Sequence, residues 1–350
     1  MRFFPAFLLF AALAAAAVVP TYPDHADLLY WLDDAGVRNP VKVVSDWQKR
    51  RAHIVESMEL VMGDFPDRPR GPVEVRVLEE IAFEGGLRRK ILYEALPDNF
   101  VPAYLFLPSE SGPHPAALAL HPTGAPGKEI VAGETDKVNR SYAIELAQRG
   151  WVVLAPDYPT MGDPQDDAYD LGYQSVTMQA VYNHSRGVDL LTSMPEVDAQ
   201  KIAAIGHSLG GHNALFVSVF DQRIQAAVTS CGFNAFAKYY EGDLTGWAQR
   251  KYMPRIEEIY GKDPARMPFD FTEVLGAIAP RSVFVSAPLH DANFEVSGVR
   301  DCLRAARPVY ETIFGAGQRL EAVHPDCAHD FPPDIREAAY AFLEREVDAR

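Results

Sequence analysis

"IAAIGHSLGG", residues 202–211, runs four apolar residues into a single serine set among three glycines. An apolar run this short, without alternation, reads as a strand buried on both faces, and a helix is expected after it. A strand that stops at Gly206 and a helix that starts after Ser208 leave only a sharp corner between them. Ser208 at that corner must hold a strained backbone conformation, and Gly206 and Gly210 remove Cβ atoms that would clash with it. The corner exposes the serine hydroxyl and turns the free N–H groups of a helix start toward it. Gly206-His207-Ser208-Leu209-Gly210 is thus a G-x-S-x-G sequence in the strand–turn–helix setting that makes a serine a nucleophile.

A serine hydroxyl attacks only if a base takes its proton. Among ten histidines, His207 and His212 belong to the corner itself, where an in-line contact with the hydroxyl is awkward. His329 lies in "HPDCAHDFPP", just after the last expected strand, where a loop can carry an imidazole over the sheet edge. The base needs a carboxylate to fix its tautomer. Asp291 in "VFVSAPLHDANF" ends a strand and falls between serine and histidine in the chain; Asp326 and Asp330 are sequence neighbours of the histidine and poorly placed to reach its Nδ1. The oxyanion needs two donors. One is the Leu209 N–H; the other comes from the loop "LHPTGAPGKE", where Pro122 has no N–H, so Thr123 is the first choice and Gly124 the second. His121 shapes that loop or lines the pocket.

Outward from this site the chain alternates. Apolar runs at 116–122, 151–158, 201–208, 224–232, 281–288 and 320–326 are separated by helix-length segments such as 137–149 and 175–193, and a last helix follows Pro332 and Pro333 over 334–347. This pattern predicts a mostly parallel central sheet with helices on both faces. "VEVRVLEEIAFEGGLRRKILYEAL" and "VPAYLFLP" read as antiparallel strands leading into it. Residues 45–65 predict a helix with Trp47, Ile54, Met58 and Val61 on one face, capped by Ser45 or Asp46 and ended by Gly63. Residues 233–278, helical and aromatic, are too long for a simple crossover and read as a lid-like insertion over the strand ends. Three parts follow: a leader over 1–19, an N-terminal helical extension over 20–70, and one α/β domain over 71–350.

The leader places Arg2 ahead of an apolar run from Phe3 to Val19 that ends in small residues. That is the pattern of a secretory signal peptide, cleaved around Ala14–Ala17. Export to the periplasm or the cell exterior, with no stable membrane association after cleavage, is expected. The formal charge of −15 repels phosphate backbones, which disfavours nucleic-acid binding, and no nucleic-acid partner is expected. Cys231, Cys302 and Cys327 are too few for a disulfide scaffold, and their pairing stays open.

These segments resemble the α/β-hydrolase superfamily and, within it, the dienelactone hydrolase and acetyl xylan esterase-like branch. "VPAYLFLP", "LHPTG", "RGWVVLAPDYPTMGD", "RGVDLLTSMPEVDAQKIAAIGHSLGGHNAL", "PLHDANF" and "CAHDFP" carry the resemblance from about Trp47 to Val347. It implies an α/β-hydrolase fold with Ser208 as nucleophile, Asp291 as acid and His329 as base. It also implies hydrolysis of small-molecule or carbohydrate esters, often acetylated sugars, without metal or other cofactor. Three departures stand out. Dienelactone hydrolases use cysteine where this chain has Ser208; related acetyl xylan esterases place Gln where it has Leu209, and their Arg-Gly-Gln motif is absent. A serine peptidase of the prolyl-oligopeptidase type shares the fold and triad order but needs a propeller for which the chain has no room. A metal-dependent hydrolase would use the His324, Asp326, Cys327, His329 and Asp330 cluster.

Overall fold

The apolar runs become the parallel half of a nine-stranded sheet in a computed structural model that describes residues 19–67 and 70–348. The leader, apart from Val19, lies outside the described residues. The chain begins with a two-stranded antiparallel pair, β1 (Tyr30–Leu32) and β2 (Arg38–Pro40), followed by helix α1 (Val44–Met62). Strands β3 (Val75–Phe83), β4 (Gly86–Leu96) and β5 (Asn99–Pro108) form an antiparallel meander. Then come β6 (His114–Leu120), α2 (Tyr142–Gln148), β7 (Val152–Pro156), α3 (Val176–Ser193), β8 (Val197–His207), α4 (Leu209–Phe220) and β9 (Ile224–Ser230). The next segment holds the short helix α5 (Arg255–Glu258) and α6 (Phe271–Ile278), and β10 (Ser282–Ser286), α7 (Val296–Pro308), β11 (Leu320–Val323) and α8 (Pro333–Asp348) follow.

The sheet order is β11-β10-β9-β8-β6-β7-β5-β4-β3, parallel from β11 to β7 and antiparallel from there to β3. Every residue of β7 and β10 is buried, as an unbroken apolar run requires when both faces are covered. Helices α3, α4, α6 and α7 build the core on one face, α2 and α8 on the other. Helix α4 is buried from Leu209 to Val219, which explains why it carries almost no charge. Strand β6 is flanked by β7 on one side and β8 on the other, so the chain order reverses there. Ligands of open α/β sheets bind at the carboxyl ends of strands beside such a reversal.

Three expectations change in detail. The helix expected over 137–149 starts only at Tyr142, because Asn139 takes a left-handed conformation (φ 62°) and the residues before it serve a loop. Helix α1 is capped from within its first turn: the Asp46 carboxylate accepts the N–H groups of Lys42 and Val43 at 3.1 and 3.3 Å. The insertion over 233–278 is less helical than its composition suggests. It folds as 3₁₀ turns at Phe236–Gly242, Leu244–Gly246 and Pro264–Arg266 plus α5 and α6, and left-handed Tyr240 and Glu241 break the first turn. Its aromatic rings pack on one another, Phe236 against Trp247, Phe269 and Phe271 with centroids 5.6–5.9 Å apart. Asp270 fixes its ends by accepting the N–H groups of Phe236 and Phe271. Buried Glu273 ties the insertion to the N-terminal extension, accepting from Arg50 at 3.2 Å and pairing with His25 at 2.8 Å.

Candidate active site

At the end of β8 the register pairs Gly206 with Leu120 of β6 and with Thr229 of β9, so the corner is pinned between two parallel neighbours. Ser208 has φ 55° and ψ −118°, a conformation L-residues rarely adopt. Its N–H donates to the Ser230 carbonyl at 2.8 Å, and its own carbonyl accepts from Gly211 and His212, the first turn of α4. A Cβ on Gly206 would sit 2.1 Å from the Gly210 oxygen, and one on Gly210 would sit 1.8 Å from the Leu120 oxygen. Both glycines are therefore required by backbone contact.

The loop after β10 carries Asp291 and the loop after β11 carries His329, both beyond the same carboxyl ends. His329 Nδ1–H donates to the Asp291 carboxylate, with its oxygens at 2.9 and 3.0 Å. The Asp291 side chain is fully buried and His329 is 31% exposed, so the pair runs from interior to cleft. Asp291 also accepts the N–H groups of Asn293 and Phe294 at 2.8 and 3.0 Å. Burial pushes this carboxyl up, but the hydrogen bond and charge of His329, with those backbone donors, outweigh it and hold it below the usual carboxylate range. Asp291 thus stays an anion that orients the imidazole. From the opposite side Arg140 donates to the His329 carbonyl at 3.2 Å and to Asp330 at 2.6 Å.

Two cavities meet at Ser208. One, about 260 Å³ and open, is lined by Ser208, His329, His207, Thr123, Lys137 and Arg140 among others. The other, about 80 Å³, is lined by Ser208, Leu209, His212, Tyr239, Trp247 and Phe294, with Thr123 and Tyr252 at its border. The Leu209 N–H opens α4 directly after the serine. Of the two loop candidates, Thr123 lines both cavities. The Gly124 N–H instead donates to the Met161 sulfur at 3.4 Å. The loop itself is clamped: His121 Nδ1–H donates to the Pro122 carbonyl and its Nε2 accepts the Tyr158 N–H, while buried Lys128 pairs with Asp157 at 2.6 Å.

The rival residues have other partners. His207 Nδ1 meets the Ser230 hydroxyl at 3.0 Å, and His212 Nδ1–H donates to the Gly232 carbonyl. Asp326 faces His290, Asp330 takes Arg140 and Asn139, and His324 donates to the Ala287 carbonyl. The cluster in "HPDCAHD" is therefore dispersed. Among the described residues, the side chains near enough to share an ion are Cys231, Asp291 and His329, whose ligand atoms lie within 4.8 Å of one another. Cys231, left-handed at φ 48°, was not singled out by sequence; burial and the neighbouring Asp291 carboxylate push its thiol well up. Arg140 likewise reaches the site without a motif; of the insertion's aromatic residues, Tyr239, Trp247 and Tyr252 line the smaller cavity, whereas Phe233 stays in the core, stacked on Phe271. The three cysteines are free thiols.

Residues 166–314 match the family model described as glucuronyl esterase, fungi. "Putative hydrolase YtaP" of Bacillus subtilis (strain 168) is 26% identical over 310 residues, covering 84% of this chain and 99% of that protein. Among solved structures, a glucuronoyl esterase from Solibacter usitatus is similar with a TM-score of 0.69 at 18% identity, covering 95% of this chain and 100% of its own. A CE15 glucuronoyl esterase from Caldicellulosiruptor kristjansonii gives 0.70 at 19%, covering 97% and 93%. An acetyl xylan esterase from Paenibacillus sp. R4 gives 0.59 at 19%, covering 85% and 94%. The sheet order and these similarities show an α/β-hydrolase fold, and the chain is similar to carboxylic ester hydrolases of that fold.

Proposed function

We propose that Ser208, His329 and Asp291 carry out ester hydrolysis through an acyl-enzyme. The observation that carries this reading is the buried Asp291–His329 pair opening onto the same cleft as the strained Ser208. His329 Nε2 takes the hydroxyl proton as Ser208 Oγ bonds to the ester carbon. The oxyanion is held by the Leu209 N–H and a donor of Thr123. Collapse breaks the bond to the alcohol, which leaves with the proton from His329. Water then attacks the acyl-enzyme, passes its proton to His329, and the carboxylic acid departs as Ser208 is restored.

The two cavities divide the substrate. The alcohol must leave within reach of His329, so it occupies the open 260 Å³ side, wide enough for a carbohydrate. The acyl group takes the 80 Å³ aromatic pocket. A dry cavity of about 150 Å³ holds benzene, which makes this one suited to an acyl group of two or three carbons. Among the names of the structural neighbours, acetyl xylan esterase fits this division, a two-carbon acyl group on a sugar alcohol. We propose export as well, on the apolar run after Arg2; among the described residues no helix is long and apolar enough to cross a membrane. N-terminal sequencing of the exported chain checks cleavage near Ala14–Ala17.

The function is tested with p-nitrophenyl acetate and acetylated xylan against a peptide p-nitroanilide. Both esters should be cleaved by the wild-type chain and not the anilide, and Ser208→Ala should lower kcat by ~10³-fold or more. Full ester turnover by the serine variant would refute the assignment.

A further inference from the structure

The 80 Å³ pocket looks apolar from its ring count, yet its lining includes a buried donor without a partner. His212 sits on the first turn of α4 and its ring lies 4.7 Å from that of Trp247. A carbonyl only accepts, so the 3.2 Å contact with Gly232 fixes the hydrogen on Nδ1 and leaves Nε2 with a lone pair. Burial holds this imidazole neutral, pushed down to about 3. Opposite it, the Trp247 Nε1–H is buried and has no protein partner. The His212 Nε2 acceptor and the unpaired Trp247 donor thus stand on neighbouring rings in the lining of a pocket that also contains Ser208 and Leu209. A buried donor left unpaired is costly, so the indole points to a ligand oxygen, and the imidazole beside it to one that also donates.

We propose that the acyl group this enzyme takes is a short hydroxyacyl of the glycolyl or lactyl class, read by His212 and Trp247. This rests on the serine-esterase reading of the same site. A hydroxyl matches the pair in chemistry: its O–H donates to His212 Nε2 and its lone pair accepts from Trp247 Nε1–H. A methyl group satisfies neither atom, and an ammonium has no lone pair for the indole. Sites built to hydrogen-bond a substrate hydroxyl reject the analogue that lacks it far more strongly than apolar pockets reject an added group.

The test compares ethyl glycolate with ethyl propionate, which differ by OH for CH₃, following acid release at constant pH. Each kcat/KM is divided by the ester's own alkaline hydrolysis rate. The wild-type chain should favour the glycolate at least ~10-fold after this correction, and Trp247→Phe should bring the ratio down to within about threefold. A corrected wild-type ratio near one overturns the proposal without touching the esterase reading, as does a ratio that Trp247→Phe leaves unmoved. Because that variant can fail to fold, the wild-type ratio decides alone if it does. If neither ester is cleaved, the esterase reading itself has failed. The pocket is then read by ligand-observed NMR of the wild-type chain with glycolate and propionate: tighter glycolate binding keeps the proposal, and equal binding ends it.

Discussion

Ser208, Asp291 and His329 each sit one or a few residues past a strand end, and this placement gathers the three side chains of the proposed mechanism at one edge of the sheet. The serine is held by backbone strain rather than by side-chain contacts: φ 55° is tolerated because Gly206 and Gly210 give the chain room. The histidine is held from two sides, by Asp291 at Nδ1 and by Arg140 at its own carbonyl. Removing the charge of Asp291 while keeping its shape should leave the fold intact and cost much of the rate. Asp291→Asn should lower kcat by ~10²–10⁴-fold with little change in KM, since the amide favours the wrong imidazole tautomer. Steady-state kinetics on p-nitrophenyl acetate check this, and a variant within threefold of wild type would contradict it. These three residues were legible in the sequence because the apolar runs mark the strand ends and the Ser–Asp–His order follows. Arg140 and the site role of Cys231 were not. Each reaches the site through a conformation that no local pattern announces: left-handed Asn139 before Arg140, and left-handed Cys231.

The loops between elements set the cleft, and two devices hold them. The β6–α2 loop carries Thr123 and is bound to the end of β7 by Lys128 and Asp157, both almost fully buried and 2.6 Å apart. Gly127 and Gly162 close on the same carboxylate, leaving 2.0–2.2 Å to where a Cβ would stand. Removing one partner of a buried ion pair costs about 3–5 kcal/mol. Asp157→Ala should fall at the low end, about 3 kcal/mol, because Asp163 still faces Lys128 at 2.9 Å. Denaturant unfolding measures this, and a loss under about 1 kcal/mol would mean the pair does not hold the loop. The insertion is the second device. Its length and aromatic content are legible in the sequence, but its form is not: exposed Tyr240 and Glu241 take a left-handed turn that no local propensity announces.

Across the fold, four histidines lie buried and neutral. Burial pushes His184 and His212 down to about 3, and His121 and His207 are also lowered chiefly by burial. Such groups stabilise the fold above the ordinary histidine value near 6.5, and that stability is lost as pH falls from there toward about 3, because the unfolded chain binds protons the folded one refuses. His184 and His212 each contribute roughly 1.4 kcal/mol per pH unit in that window. Asp270, pushed up to about 7 by burial, works the other way and offsets about one of the four. The melting temperature should therefore drop between pH 7 and pH 5, and a rise would contradict the neutral-histidine account. The layered α/β architecture that houses them was legible from the alternation of apolar runs, whereas the hairpin of β1 and β2 was not, since three-residue strands leave no periodicity to read. All of this serves one strained hydroxyl, and a fluorophosphonate probe interrogates it by mass. The wild-type chain should gain the mass of a single phosphonyl group, mapped by peptide sequencing to Ser208, and Ser208→Ala should gain none; an adduct elsewhere, or labelling of the variant at the wild-type rate, would contradict the nucleophile assignment.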